Sequence, residues 1–203
     1  MKVKIVLFIT TATSGTKDDS DILEISWWVG KVDAFNESDI KTMLITNPRL
    51  VDYVLSDDPL AMNYWSNMGD YVFKLHRESG LVDDMEAYIR SGEHRNTYTE
   101  VVDGLIADIL KAKGYTEGVN ARDLPDVYLT GNNIPFLLSN LSTINPEGNL
   151  RRLLSYQTID VTSLILFMGK EAVNEVPPAK SRRTLDTLIQ RVSLLKSLIK
   201  YKG

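Results

Sequence analysis

Ile5-Val6-Leu7-Phe8-Ile9-Thr10-Thr11-Ala12-Thr13-Ser14-Gly15 is the stretch on which the fold turns. Just ahead of it and into it, Val3, Ile5 and Leu7 alternate with Lys2 and Lys4, and by Phe8 the run is apolar on both faces. Period-two alternation passing into a fully apolar run predicts a strand that enters the middle of a sheet. Gly15, Asp18, Asp19 and Ser20 supply turn chemistry, and a second strand is expected from Ile22 to Val29. A third, from Lys41 to Thr46, completes an opening βββ meander. Trp27 and Trp28 are neighbours on the second strand and must face opposite sides of the sheet, one in the core and the other under a helix or on a partner surface.

Beyond the meander the periodicity turns helical between Pro59 and Gly114. Leu60, Tyr64 and Trp65 predict one apolar stripe; Val101, Leu105, Ile109 and Leu110 predict another, closed by Gly114 as a C-cap. Asp126 to Thr130 reads as a short buried strand running into Gly131, with a helix from Ile134 to Leu141 after it. Thr158 to Val161 predicts the last strand, a helix follows from Ser163, and Pro177-Pro178 marks a loop. The final helix runs from about Thr184 to Tyr201, with Leu185, Leu188, Ile189, Val192, Leu195 and Ile199 on its apolar face. This order defines an α/β domain over residues 1–203, a mixed sheet covered by helices.

Composition narrows the function classes. At 203 residues and 43% hydrophobic content, one compact domain with a sizeable core is expected. A net charge of −4 gives no global attraction to nucleic acid and leaves only local basic patches for that purpose. The absence of cysteine excludes disulfides and thiolate zinc sites and suits a reducing, cytoplasmic setting. The apolar opening lacks the length and cleavage site of a signal peptide, and no apolar run approaches the ~20 residues that cross a bilayer. No membrane partner is expected.

Several segments point further. Ile22-Leu23-Glu24-Ile25, Met62-Asn63-Tyr64-Trp65, His76-Arg77-Glu78-Ser79-Gly80-Leu81 and Tyr156-Gln157-Thr158-Ile159-Asp160-Val161-Thr162-Ser163-Leu164 occur in that order. With Phe8 to Gly15, Gly131-Asn132-Asn133-Ile134-Pro135-Phe136-Leu137 and Arg182-Arg183-Thr184-Leu185-Asp186-Thr187, they resemble the successive motifs of the DEDDh 3′–5′ exonucleases. Within that group the chain looks most like oligoribonuclease, which degrades very short RNAs. The resemblance implies an RNase H-like (DnaQ-type exonuclease) fold, a mixed five-stranded sheet flanked by helices, and a homodimer.

It also implies where chemistry has been lost. Thr10 and Ala12 stand where the family has Asp-x-Glu, Leu137 where it has its third carboxylate, Thr187 its fourth, and Arg182 its general-base histidine. Thr16 replaces a wedge leucine, Gln157 replaces the arginine that grips the RNA 5′ phosphate, and extra residues separate Trp65 from His76. Gly15, Glu24, Trp65, Ser79-Gly80-Leu81, Gly131-Asn132 and Asp160 match as scaffold. Two-metal hydrolysis needs hard oxygen ligands that hold cations about 3.5–4 Å apart, and Thr, Ala and Leu do not rebuild that anionic cage. Asp18, Asp19 and Asp21 have no motif spacing that would replace it. No catalytic residue, metal or cofactor is therefore expected.

The other candidates are weaker. His76 and His94 read as satisfied or solvated histidines, and Ser79 near His76 has no oxyanion-hole signature beside it. Gly131-Asn132-Asn133 lacks the lysine of a phosphate loop. Lys180, Arg182, Arg183, Arg191, Lys196, Lys200 and Lys202 face only Asp186, and form either a solvated helix face or a nucleic-acid patch. The expectation is a pseudo-exonuclease retained as a binding or regulatory module. Its partner is a protein, as for a module carried by a phage or other mobile element, or a short RNA or single-stranded DNA. Contact candidates are Trp65 and Tyr156 as stacking platforms, with His76, Gln157, Thr162, Arg182 and Arg183 as polar or phosphate contacts. The alternative is a working metal-dependent 3′–5′ exoribonuclease with relocated ligands, or an engineered inactive form of one.

Overall fold

The computed structural model describes residues 4–15, 20–93, 96–119, 124–168 and 176–200. Five strands, β1 (Ile5–Thr13), β2 (Ile22–Gly30), β3 (Lys41–Leu44), β4 (Val127–Gly131) and β5 (Thr158–Asp160), form one sheet in the order β3-β2-β1-β4-β5. The meander β1-β2-β3 is antiparallel, whereas β4 and β5 run parallel to β1. β1 is thus central and covered on both faces, which is why Leu7 and Phe8, pointing to opposite sides, are both fully buried.

Eight helices flank the sheet: α1 (Pro48–Leu55), α2 (Asp70–Glu78), α3 (Leu81–Ser91), α4 (Tyr98–Lys113), α5 (Ile134–Ile144), α6 (Asn149–Arg152), α7 (Val161–Met168) and α8 (Thr184–Lys200) among the described residues. One face, with Leu7, Ile9 and Trp27, packs under α4, α5 and α6. The other divides in two. Val6, Phe8 and Trp28 meet α7 and α8, and Ala12 and Leu23 meet α1 and α3. Trp27 and Trp28 do face opposite sides, but both are covered, so neither offers a partner surface.

One irregularity matters for the site. Ala12 faces Glu24 and Thr13 faces Ile22, so Leu23 is an extra residue on β2, a β-bulge. Leu23 packs with the α1–α3 cluster, while Ile22 before it and Ile25 two residues on pack under α4. Directly opposed strand residues share a face, so Thr10, Ser26, Ala12 and Glu24 form one patch.

Where signals were local, the expected elements appear. Thr97 and Glu100 form a capping box at the start of α4, and Gly114, at φ +71°, closes it by donating to the Leu110 and Lys111 carbonyls. Two expectations need correction. Leu60 is 89% exposed, whereas Tyr64 and Trp65 are buried on a single 3₁₀ turn, so that stripe is not helical. On α8, Leu188, Val192 and Leu195 are buried as expected, but Leu194 and Leu198 complete the stripe while Leu185 and Ile199 turn outward. Buried Thr184 fixes the rotation of the helix; Leu188, four residues on, shares its face, and Leu185 does not. No described helix is long and apolar enough to cross a membrane.

Candidate functional site

Glu24 locates the site. It is 1% exposed, on a strand whose flanking Leu23 and Ile25 are fully buried. A carboxylate there needs partners, because an unpaired buried charge is strongly disfavoured. It has four. Arg183 donates to Oε1 from Nε at 2.9 Å and Nη2 at 2.5 Å; Thr184 donates to Oε2 from its backbone N–H at 2.9 Å and its hydroxyl at 2.8 Å. Glu24 therefore caps the N-terminus of α8 from the sheet, where a negative charge also meets the positive end of the helix dipole. The third Arg183 nitrogen, Nη1, pairs with Asp84 of α3.

A chain of hydroxyls extends from this carboxylate. Thr184 Oγ1 lies 2.6 Å from Ser26 Oγ, which lies 2.7 Å from Thr42 Oγ1. Thr184 spends its single proton on Glu24, so Ser26 donates to Thr184 and Thr42 donates to Ser26. Thr10 Oγ1 donates to the Thr184 carbonyl at 2.8 Å. These contacts fasten β1, β2 and β3 to the first turn of α8.

His76 of α2 closes the inner edge: Nε2 donates to the Thr13 carbonyl at 2.7 Å. Burial lowers its pKa, the Thr13 hydrogen bond and Glu24 act the other way, and Arg183 adds to the lowering. The folded pKa thus lies below the unfolded one, and His76 contributes stability above about pH 6.5 that is lost as pH falls through the folded value. His76→Asn is expected to remove this component. Melting curves between pH 7.5 and about 5 will show a smaller acid-side loss for the variant than for the parent.

Beside this network, Asp21 accepts from Tyr64 Oη at 2.8 Å and Asn47 Nδ2 at 3.0 Å. Burial, then the Asp21 hydrogen bond, push the Tyr64 phenol above its usual range. Asp21 and Tyr64 wall a cleft of about 480 Å³ with Ser14, Arg49 and Asn67; a second cleft of about 330 Å³ shares Arg49, Tyr64 and Asn67.

The residues singled out from the sequence are distributed as follows. Ala12 is 7% exposed among Leu23, Tyr64 and Trp65, whereas Leu137 is 4% exposed in the cluster under α4 and α5. Thr187 is half-buried on α8, its N–H bonded to the Arg183 carbonyl. Arg182 points to solvent, and it is Arg183 that turns inward onto Glu24. Trp65 is buried with Nε1 donating to Glu86, which corrects its assignment as a stacking platform. Tyr156 is 83% exposed, with Gln157 donating to its phenol oxygen, and Thr162 is exposed at the start of α7.

The basic run does not form one face among the described residues. Arg183 is paired, Arg191 is half-buried with Nε lacking a described partner, and Lys196 lies 4.9 Å over the Phe35 ring. Thr16, Asp18, Asp19, His94 and Lys202, together with the Lys200 side chain, lie outside the described residues. Among those described, no group of three or more His, Cys, Asp or Glu is arranged to hold a metal ion.

Sequence reasoning took Glu24 for scaffold and overlooked Asp84. A signal was present, since one carboxylate inside the apolar Ile22-Leu23-Glu24-Ile25 demands a cation. Gly131 adds a test of packing at the end of β4. A Cβ there would lie 2.5 Å from Leu137 Cδ1 and 3.1 Å from the Ile9 carbonyl oxygen. Gly131→Ala is expected to destabilise by about 1–3 kcal/mol through overpacking. Gly131→Ala combined with Leu137→Ala should lose less than the sum of the singles in denaturant melts.

This sheet and helix arrangement is the RNase H-like fold of DnaQ-type exonucleases. Among solved structures the chain is similar to the nuclease domain of 3'hExo, a DEDDh family member, determined bound to rAMP. The TM-score is 0.52 at 13% identity, covering 100% of this chain and 94% of that one. No family profile matches the sequence, and no curated protein does.

Proposed function

We propose that the chain is a catalytically inactive, oligoribonuclease-like module that binds short RNA or single-stranded DNA without cutting it. One observation carries the reading. The positions to which the resemblance assigns the metal-binding carboxylates hold a hydroxyl already bonded to Thr184, two buried apolar side chains and a helix threonine. Two magnesium ions do not fit such a set, because it contributes no anionic oxygen. The buried carboxylate nearby, Glu24, has both oxygens committed to Arg183 and Thr184.

In place of a metal, the network offers a guanidinium, a group that recognises phosphate bidentately. The similar 3'hExo domain was determined with a nucleotide, rAMP, which supports the same ligand class here. Anisotropy of a labelled RNA pentamer, in EDTA, tests the reading. Binding that weakens steeply as salt rises is the expected result, and no binding at low salt would defeat it.

A protein partner is the second reading, and α7 favours it. Leu166 and Phe167 are 80% and 89% exposed there, an apolar pair of the kind found at interfaces. Pairing of two copies belongs to the proposal through the resemblance, and sedimentation will report a dimer if it holds.

A further inference from the structure

We propose that Arg183 is a phosphate site held shut by Asp84, so that Asp84 acts as a built-in competitor for the ligand. The inference rests on the non-catalytic binding reading and adds the group that takes the phosphate and the group that excludes it. The two carboxylates on Arg183 are not equivalent. Glu24 is 1% exposed and bound also by Thr184, whereas the Asp84 side chain is 58% exposed and holds Arg183 through Nη1 alone.

A guanidinium has five N–H donors, and three are spent on these carboxylates. The Nε edge belongs to Glu24. The unspent donors are one on Nη1 and one on Nη2, and Arg183 is itself 22% exposed. Displacing Asp84 would free a two-nitrogen fork that fits two phosphate oxygens, while Glu24 continues to anchor the side chain.

Charge explains why Asp84 must leave. With Glu24 and Asp84 both facing one arginine, the cluster carries a net −1 that repels an incoming anion. His76, a further titratable group facing it, contributes no positive charge while neutral. Removing the Asp84 charge leaves Glu24 and Arg183 balanced and the fork contested only by a neutral side chain.

The test uses the full chain in EDTA, with inorganic phosphate as the probe and calorimetry as the readout. Asp84→Asn is expected to bind phosphate about tenfold more tightly than the parent, the order expected for one like charge removed at contact distance in a largely aqueous setting. Asp83→Asn, the same charge change on the exposed neighbouring residue, should alter affinity less than about twofold at ordinary ionic strength. Equal affinity of Asp84→Asn and the parent, or an equal gain in Asp83→Asn, overturns the gate. Arg183→Gln in the Asp84→Asn background should abolish the gain. Because that variant also leaves Glu24 unpaired, circular dichroism first confirms that it folds, and retained tight binding by the folded protein counts against the site. Dinucleotides with and without a 5′ phosphate then identify the source: a gain only with the phosphorylated one marks a terminal phosphate, and a gain with both marks the backbone. Metal-dependent turnover would instead remove the reading beneath the inference, an outcome separate from any of these affinities.

Discussion

Glu24→Gln will lower the folding free energy by about 3–5 kcal/mol, the scale for breaking a buried, hydrogen-bonded ion pair on one side. The amide has one oxygen for two sets of donors. If that oxygen serves Thr184, its NH₂ faces the Arg183 Nε and Nη2 donors; if it serves Arg183, its NH₂ faces the Thr184 N–H and hydroxyl. Either way donors oppose donors in a closed site. For a domain of this size the loss corresponds to a fall of roughly 10 °C in melting temperature. Asp84→Asn, which touches the same arginine from the exposed side, should stay within about 1 kcal/mol of the parent. A fall of similar size in both variants would mean that the inner and outer carboxylates are equivalent, against the geometry.

Ala12→Glu is expected to destabilise by about 3 kcal/mol or more. The position is 7% exposed and packed with Leu23, Leu50, Trp65 and Leu81, so the longer side chain must both displace neighbours and bury a charge. In a two-metal exonuclease a glutamate here would be offset by bound cations. On the proposed non-catalytic reading the remaining ligands are missing, so the melting temperature of Ala12→Glu should not recover when excess magnesium or manganese is added. Recovery by several degrees under either ion would indicate that a divalent site forms around Thr10 and Ala12 after all.

The fold was legible where its signals were local. Alternation into an apolar run marked β1, the Thr97–Glu100 box and Gly114 bounded α4, and the meander preceding alternating helices and strands indicated the mixed sheet. The centre of the site was not legible, because it joins residues far apart in the chain. Glu24 and Arg183 are separated by 159 positions, and nothing in the periodicity of either segment states that they meet. The bulge at Leu23 breaks strict alternation, so counting by twos through β2 misassigns which cluster each side chain enters.

The arginines show the same limit. Motif spacing drew attention to Arg182, yet the rotation of α8 is set by Thr184, which sends Arg183 inward and leaves Arg182 in solvent. Trp65 failed as a stacking platform for a related reason: an aromatic that fits a binding motif also fits a core, and only its 4% exposure with Nε1 on Glu86 separates the two.

The most direct test asks whether the cleft cuts. The purified 203-residue chain is incubated with a 5′-labelled RNA pentamer in manganese, and products are resolved by length over hours, with EDTA as the control. The account predicts an intact pentamer at every time point in both. A ladder of shortened products that appears with manganese and disappears with EDTA would contradict it.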